Sequence, residues 1–364
     1  MIINGDELPT TAELYRQEKD HGLDLVLERD PRIKYLRDFG SNVMDYSTLQ
    51  RGLDYLMVDG MGYIAFRLDK ERAFTIADPI CHPDNYPLLI REFMTHAREN
   101  SSDVIALQLS QKAARVFGKA GMTINQMGTE SYIDPQTYSY EGPSKAQVRR
   151  WCRKAKKEGV IVIEAQLSEI DIDEVEAVSD TWLGEKGEQE FDLLTRPLIY
   201  QDELEVRNFY ALKDGKIIGI TIFDPMFHEG SVIGYYHDII RVTPDAPIGT
   251  TDLIVQEALA KFKQEGVNTL SFGLSPFYNL KRELDGYNRA LRKYLQFLFE
   301  KGEDMYPAKG IASHKSKYRP VETPSYVAMT PINLTTIRDM MDEVGKVFDV
   351  IGMDSSELED HFFD

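Results

Sequence analysis

Between residues 231 and 276 the hydrophobic rhythm of the chain changes twice, predicting a strand, a helix and a second strand. Val232, Ile233, Tyr235, Ile239 and Ile240 read as strand residues, interrupted by the polar trio His237, Asp238 and Arg241. Residues 243–249 supply turn chemistry through Pro244, Asp245, Pro247 and Gly249. Thr250 or Thr251 is expected to cap a helix whose buried stripe is Leu253, Ile254, Ala258, Leu259 and Phe262, closed by Gly266. Leu270, Phe272 and Leu274 then form a strand. The N-terminus of such a helix turns unpaired N–H groups toward the strand ends, a seat for an anion.

The rest of the chain arranges itself around this unit. Residues 1–30 are polar and helical in tone, and residues 34–53 mix helix and loop. Alternation predicts antiparallel strands at 55–58, 62–67 and 72–77, with turns at Asp59-Gly60 and Asp69-Lys70. A helix at 87–99, a strand at 104–109, a helix at 111–119 and a strand at 130–133 complete a first domain over residues 1–142. Residues 143–159 read as a linker helix, with a Ser144–Gln147 capping box and an apolar stripe of Val148, Trp151, Cys152 and Ala155. A second domain over residues 160–330 opens with a strand at 160–165 and a helix at 172–183. It continues as a meander at 206–213, 216–224 and 231–241, and after the organising unit carries a helical stretch at 280–300. The tail, residues 331–364, is acidic around a helical stripe running from Ile337 to Ile351.

Composition changes this picture mainly through charge. With 42% apolar and 10% aromatic residues, 364 residues suffice for two ordinary cores. No window approaches the ~20 apolar residues that span a bilayer, and the first residues lack a signal peptide's regions. The expectation is a soluble, cytoplasmic chain, at most peripheral at the inner membrane face. Cys81 and Cys152 stand far apart, which excludes a disulfide framework, and the seven histidines lack metal-ligand spacing, so no metal is expected. A net charge of −18 argues against general binding to nucleic acid or anionic membrane. Yet residues 143–159 hold seven Lys/Arg against Glu158, and residues 281–320 hold ten against five acids. Like charges at i,i+3 and i,i+4 cost a helix a few tenths of a kcal/mol per pair. Polyanion contact by Arg149, Arg150, Arg153, Lys154 and Lys157 therefore stands beside the blander reading of a solvated face.

The runs YYHDIIRVTPDAPIGTTDLI and LSFGLSPF resemble the catalytic domain of the phosphatidylglycerol lysyltransferases, the multiple-peptide-resistance-factor family. Further matches follow in order along residues 30–330, among them VRRWCRKAKKEG, the SDxWL motif at Ser179, Asp180, Trp182 and Leu183, and ASHKSKYRPVETPSYVAM. The resemblance implies an α+β fold of two tandem acetyltransferase-like (GNAT) domains with mixed, mainly antiparallel sheets flanked by helices. It also implies transfer of an amino acid from aminoacyl-tRNA to a lipid hydroxyl, with the tRNA acceptor arm as the polyanion. Aminoacyl-tRNA is then the co-substrate and no cofactor is expected.

Such a transfer needs a proton acceptor, an oxyanion donor and a hold on phosphates. Asp238, at a strand end, could orient or deprotonate the acceptor; a salt bridge to Arg241 is the alternative. Arg241 matches the Arg of the family's DLMR-type motif and could clamp a phosphate. Lys315 and Lys317 match a KxKF-type motif, standing here as KSKY, and bring two cations to the site. Asp238, Arg241 and Lys317 are thus the expected catalytic residues, with His237, Gly249, Thr250, Lys315 and Tyr326 as substrate contacts. For Tyr326 core packing competes with this role, and for Phe191 a core or tunnel-wall place outweighs chemistry. Acyl-CoA-dependent N-acyl transfer is the chief alternative, but Pro247-Ile248-Gly249-Thr250 lacks the Gly-rich pyrophosphate loop. A peptidoglycan-type aminoacyltransferase and a non-catalytic binding module complete the range.

Overall fold

A single mixed sheet runs through the computed structural model, which describes residues 1–100, 102–185, 193–302, 306–331 and 344–345. The first half contributes β1 (Ile2–Ile3), β2 (Asp54–Val58), β3 (Gly62–Asp69), β4 (Arg72–Ile76), β5 (Ile80–Cys81), β6 (Asp103–Leu109) and β7 (Thr123–Ile133). The second contributes β8 (Ile161–Glu164), β9 (Arg207–Lys213), β10 (Lys216–His228), β11 (Ser231–Val242), β12 (Thr269–Pro276) and β13 (Val321–Met329). Helices α1 (Thr11–His21), α2 (Leu23–Arg29), α3 (Pro31–Phe39), α4 (Tyr86–Glu99) and α5 (Gln111–Lys119) belong to the first half. They are followed by α6 (Ala146–Lys157), α7 (Ile172–Glu185), α8 (Thr250–Gln264), α9 (Arg289–Lys301) and α10 (Ala308–Ser316).

Each half repeats one order. Antiparallel strands (β2, β3, β4 and again β9, β10, β11) are followed by a helix and a parallel return strand, β6 beside β4 and β12 beside β11. This is the acetyltransferase-like α+β order expected from the sequence. One large apolar cluster spans both halves on one face of the sheet, and two separate clusters back the halves on the other.

The boundary at residue 330 does not describe the sheet. β13 lies between β6 and β7, antiparallel to both, inside the first half's sheet. Its alternation explains the placement: Tyr326 and Ala328 enter the first half's own core, while Val327 and Met329 enter the shared one. β7 is left free on its far side to pair with β12, which welds the two sheets.

Local details also depart from expectation. The Ser144–Gln147 capping box does not form, because residues Pro143–Lys145 make a 3₁₀ turn and α6 starts at Ala146. α8 is capped by Gly249 in the left-handed region (φ 97°), not by Thr250 or Thr251. A side chain at Gly249 would meet the Trp151 carbonyl oxygen of α6 at 2.3 Å, so only glycine allows the linker helix to lie so close. Phe191 and the stripe of the acidic tail, apart from Val344, lie outside the described residues.

Candidate functional site

The sheet opens between β11 and β12. These parallel strands pair only from Gly234–Thr269 to Tyr236–Ser271; beyond that β11 follows β10 and β12 follows β7. A bulge begins at the same level: Ile239 pairs with Ile222 and His237 with Phe223, leaving Asp238 without a partner residue on β10. Bulges re-aim side chains, and this one directs Asp238 toward the Asp224 carboxylate of β10.

A cavity of about 340 Å³ fills the opening. First-half residues Leu107, Gln108 and Met127 share its wall with second-half residues, so both halves build it. Its mostly apolar surface carries a few polar groups, among them Tyr236, Asp238, Arg241, Arg196 and Lys315. Gly273, at φ 71°, makes room for Tyr236, whose ring would stand 2.5 Å from a Cβ there.

The electrostatics are those of a desolvated site. The Arg196 guanidinium donates to Asp224 at 2.5 and 2.6 Å and to Glu203 at 2.8 and 3.0 Å, and its Nε stands 3.6 Å from Asp238 Oδ2. Burial, then the neighbouring Asp224 carboxylate, pushes Asp238 well above the usual carboxylate range. Lys315 is half-buried, its ammonium donating to the Leu274 carbonyl of β12 at the open edge. Desolvation pulls its pKa down to about 7, against the opposing charges of Glu130 and Asp238. Arg241 donates to Ser179 and lies 5.5 Å from the Trp182 ring centre, so two motif segments meet here.

Asp238, Arg241 and Lys315 are therefore brought together, and the expected Asp238–Arg241 salt bridge gives way to Arg196 and Ser179 as partners. Lys317 is not with them. It pairs with Asp252 of α8 at 2.8 Å and sits 5.2 Å from the Trp151 ring centre, away from the cavity. His237 also borders the cavity, its buried ring stacked on Phe223 at 5.1 Å and its pKa driven down by burial. Thr250 is buried and bonds back to Pro247, and the adjoining Gly249 faces Trp151, so the expected anion seat is filled by α6. Tyr326 is fully buried in the first half's core and donates to the Arg282 carbonyl at 2.8 Å. On α6, Arg149 ties down the carbonyls of Tyr140 and Gly142, while Arg150, Arg153, Lys154 and Lys157 are exposed.

Sequence reasoning missed Arg196, Glu203, Asp224, Tyr236 and Glu130. Asp224 carried a signal, a lone acid amid the apolar run of β10, since a buried charge demands a partner. Arg196, on a connecting segment outside any helix or strand, carried no periodic signal. No helix among the described residues is long and apolar enough to cross a membrane, and no cluster there could hold a metal ion.

Two solved structures share this architecture. The C-terminal domain of a lysylphosphatidylglycerol synthetase from Agrobacterium fabrum superimposes with a TM-score of 0.73 at 20% identity, covering 90% of this chain and 97% of that one. The L-PGS structure from Bacillus licheniformis gives 0.73 at 23% identity, covering 89% and 97%. The phosphatidylglycerol lysyltransferase of Bacillus subtilis (strain 168) is 24% identical over 297 residues, 81% of this chain but 34% of that protein, so the chain spans about a third of this curated relative. Residues 34–329 match the family described as phosphatidylglycerol lysyltransferase, C-terminal, and the chain belongs to that family.

Proposed function

We propose that the chain transfers an aminoacyl group from aminoacyl-tRNA to the hydroxyl of a lipid such as phosphatidylglycerol. The observation that carries this reading is the meeting of Lys315, Asp238 and Arg241 around one cavity where the sheet opens. A lysine with a pKa of about 7 is half neutral at physiological pH and able to accept a proton. In this mechanism the Lys315 amine takes the proton of the acceptor hydroxyl as its oxygen attacks the ester carbonyl carbon. Arg241 donates to the oxyanion that develops, and an Asp238 carboxyl oxygen accepts a hydrogen bond from the new ammonium. The bond between carbonyl carbon and ribose oxygen then breaks, and Lys315 returns the proton to the leaving ribose oxygen. Protons balance, and no metal or redox group is called for.

The exposed cations of α6 supply a landing surface for the acceptor arm, while the acidic body repels nucleic acid elsewhere. Acyl-CoA is disfavoured because the α8 N-terminus, where a pyrophosphate would sit, abuts the Trp151 backbone. Lysyl and alanyl tRNAs carrying radiolabel, incubated with the protein and phosphatidylglycerol vesicles, test the reading. Label is expected in the lipid fraction, abolished by prior RNase treatment. Lipid that stays unlabelled with both would overturn it.

A further inference from the structure

Arg196 touches both halves of the molecule, and we infer that it is a positioning residue for Asp238, held in place from the first half through Glu203 and Thr11. The inference deepens the aminoacyl-transfer reading and rests on it. All three guanidinium nitrogens of Arg196 are bonded to the carboxylates of Asp224 and Glu203, so the group acts through its acid partners. Asp238 Oδ2, buried and 3.6 Å from Arg196 Nε, has no hydrogen-bond partner among the described residues.

The segment that carries Arg196 is pinned by the first half at several points. Thr11 of α1 donates its hydroxyl to Glu203 Oε1 at 2.6 Å, and Leu204 N–H donates to the Thr11 carbonyl. The Tyr46 hydroxyl donates to the Leu204 carbonyl at 2.9 Å, with the Arg196 guanidinium 5.6 Å from its ring centre. Gln50 Nε2 donates to the Leu193 carbonyl at 3.0 Å. Residues otherwise remote from the cavity thus fix the direction of the guanidinium fork.

The fork matters because Asp224 and Asp238 crowd one another. Like carboxylates side by side repel, and a buried cation decides which one keeps its charge and where it points. The groups facing Asp238 are Asp224 of β10, Tyr236 of its own strand, Arg196 with Glu203 behind it, and Lys315 of α10. Glu130 of β7 faces Lys315, and Tyr46 faces Arg196 and Asp224. With Arg196 fixed, Asp238 stays turned toward the amine of Lys315.

The test follows the Asp238 carboxyl by carbon NMR in protein labelled at aspartate, assigned with Asp238→Asn, alongside transfer kinetics. Arg196→Gln is expected to raise the Asp238 titration midpoint by about one pH unit or more. It should lower kcat by roughly tenfold to a hundredfold while KM for aminoacyl-tRNA stays within about twofold. Thr11→Val should move the midpoint the same way by less. Leu14→Ala, on the same helix with a fully buried side chain outside the network, should lower the melting temperature and leave the Asp238 midpoint alone. A midpoint unmoved by Arg196→Gln and by Thr11→Val, or moved equally by Leu14→Ala, overturns the inference. The titration needs no substrate, so a wild-type protein that transfers nothing counts against the proposed function while the NMR arm still decides the role of Arg196.

Discussion

Replacing Lys315 by methionine should separate activity from stability in opposite directions. The side chain pays for its position: its pKa falls from 10.5 to about 7, chiefly by desolvation. At about 1.4 kcal/mol per tenfold, that gap sets an upper bound of about 5 kcal/mol on the cost of keeping the lysine charged. Lys315 is only half-buried and so partly screened by solvent, and roughly half of that is a fair figure. Methionine removes this cost but strands the Leu274 carbonyl, a loss of about 1 kcal/mol. The net expectation at pH 7 is a gain in stability of about 1–2 kcal/mol. The sign with pH follows from proton counting. The folded lysine titrates lower than the unfolded one, so between about 7 and 10.5 the unfolded chain binds more protons and the wild type gains stability as pH rises. The advantage of the Lys315→Met variant should therefore be full near pH 7 and gone by about pH 10. Activity should fall by about a hundredfold to ten-thousandfold, the usual contribution of a general base. Urea unfolding at the two pH values and initial rates of label transfer read both sides. A variant less stable than wild type at pH 7, or one keeping more than a tenth of the activity, would refute the reasoning.

Three further outcomes follow from the geometry. Tyr326→Phe loses one hydrogen bond to the Arg282 carbonyl and should cost about 1 kcal/mol in unfolding free energy with unchanged transfer rates. Reversing charge at Arg150, Arg153 and Lys154 together should raise KM for aminoacyl-tRNA and flatten its dependence on salt, with kcat kept, because phosphate contacts drive affinity through counterion release. Gly273→Ala must accommodate φ 71° and a Cβ 2.5 Å from the Tyr236 ring; an unfolding cost of about 1–3 kcal/mol and a larger fractional loss of kcat are expected, measurable by chemical denaturation and initial rates.

Much of the fold was legible because its signals are local. The strand, polar loop, helix and strand of residues 231–276 appear as β11, α8 and β12, set by alternation and helical spacing. Asp238, Arg241 and Lys315 were legible through their motifs, and they meet. Lys317 was grouped with Lys315 by the same motif, yet positions i and i+2 at a helix end do not share a face, and the structure sends them to different partners. Gly249 and Thr250 looked like an open anion seat because nothing local reveals that α6 lies across it. Tyr326 was placed near the chemistry because its neighbours in sequence are. The insertion of β13 between β6 and β7, and the parity of that strand, send its ring into the opposite core. Arg196 gathers carboxylates from positions 203, 224 and 238, and no periodicity records such an assembly.

A crystal structure with a hydrolysis-resistant amide analogue of an aminoacyl-adenosine tests the central claim most directly. The account predicts that the analogue's carbonyl lies in the cavity at the open edge of β11 and β12, its oxygen about 3 Å from an Arg241 nitrogen, with the Lys315 amine within reach of the acceptor position. An analogue seated elsewhere on the molecule, with the cavity around Asp238, Arg241 and Lys315 left empty, would contradict it.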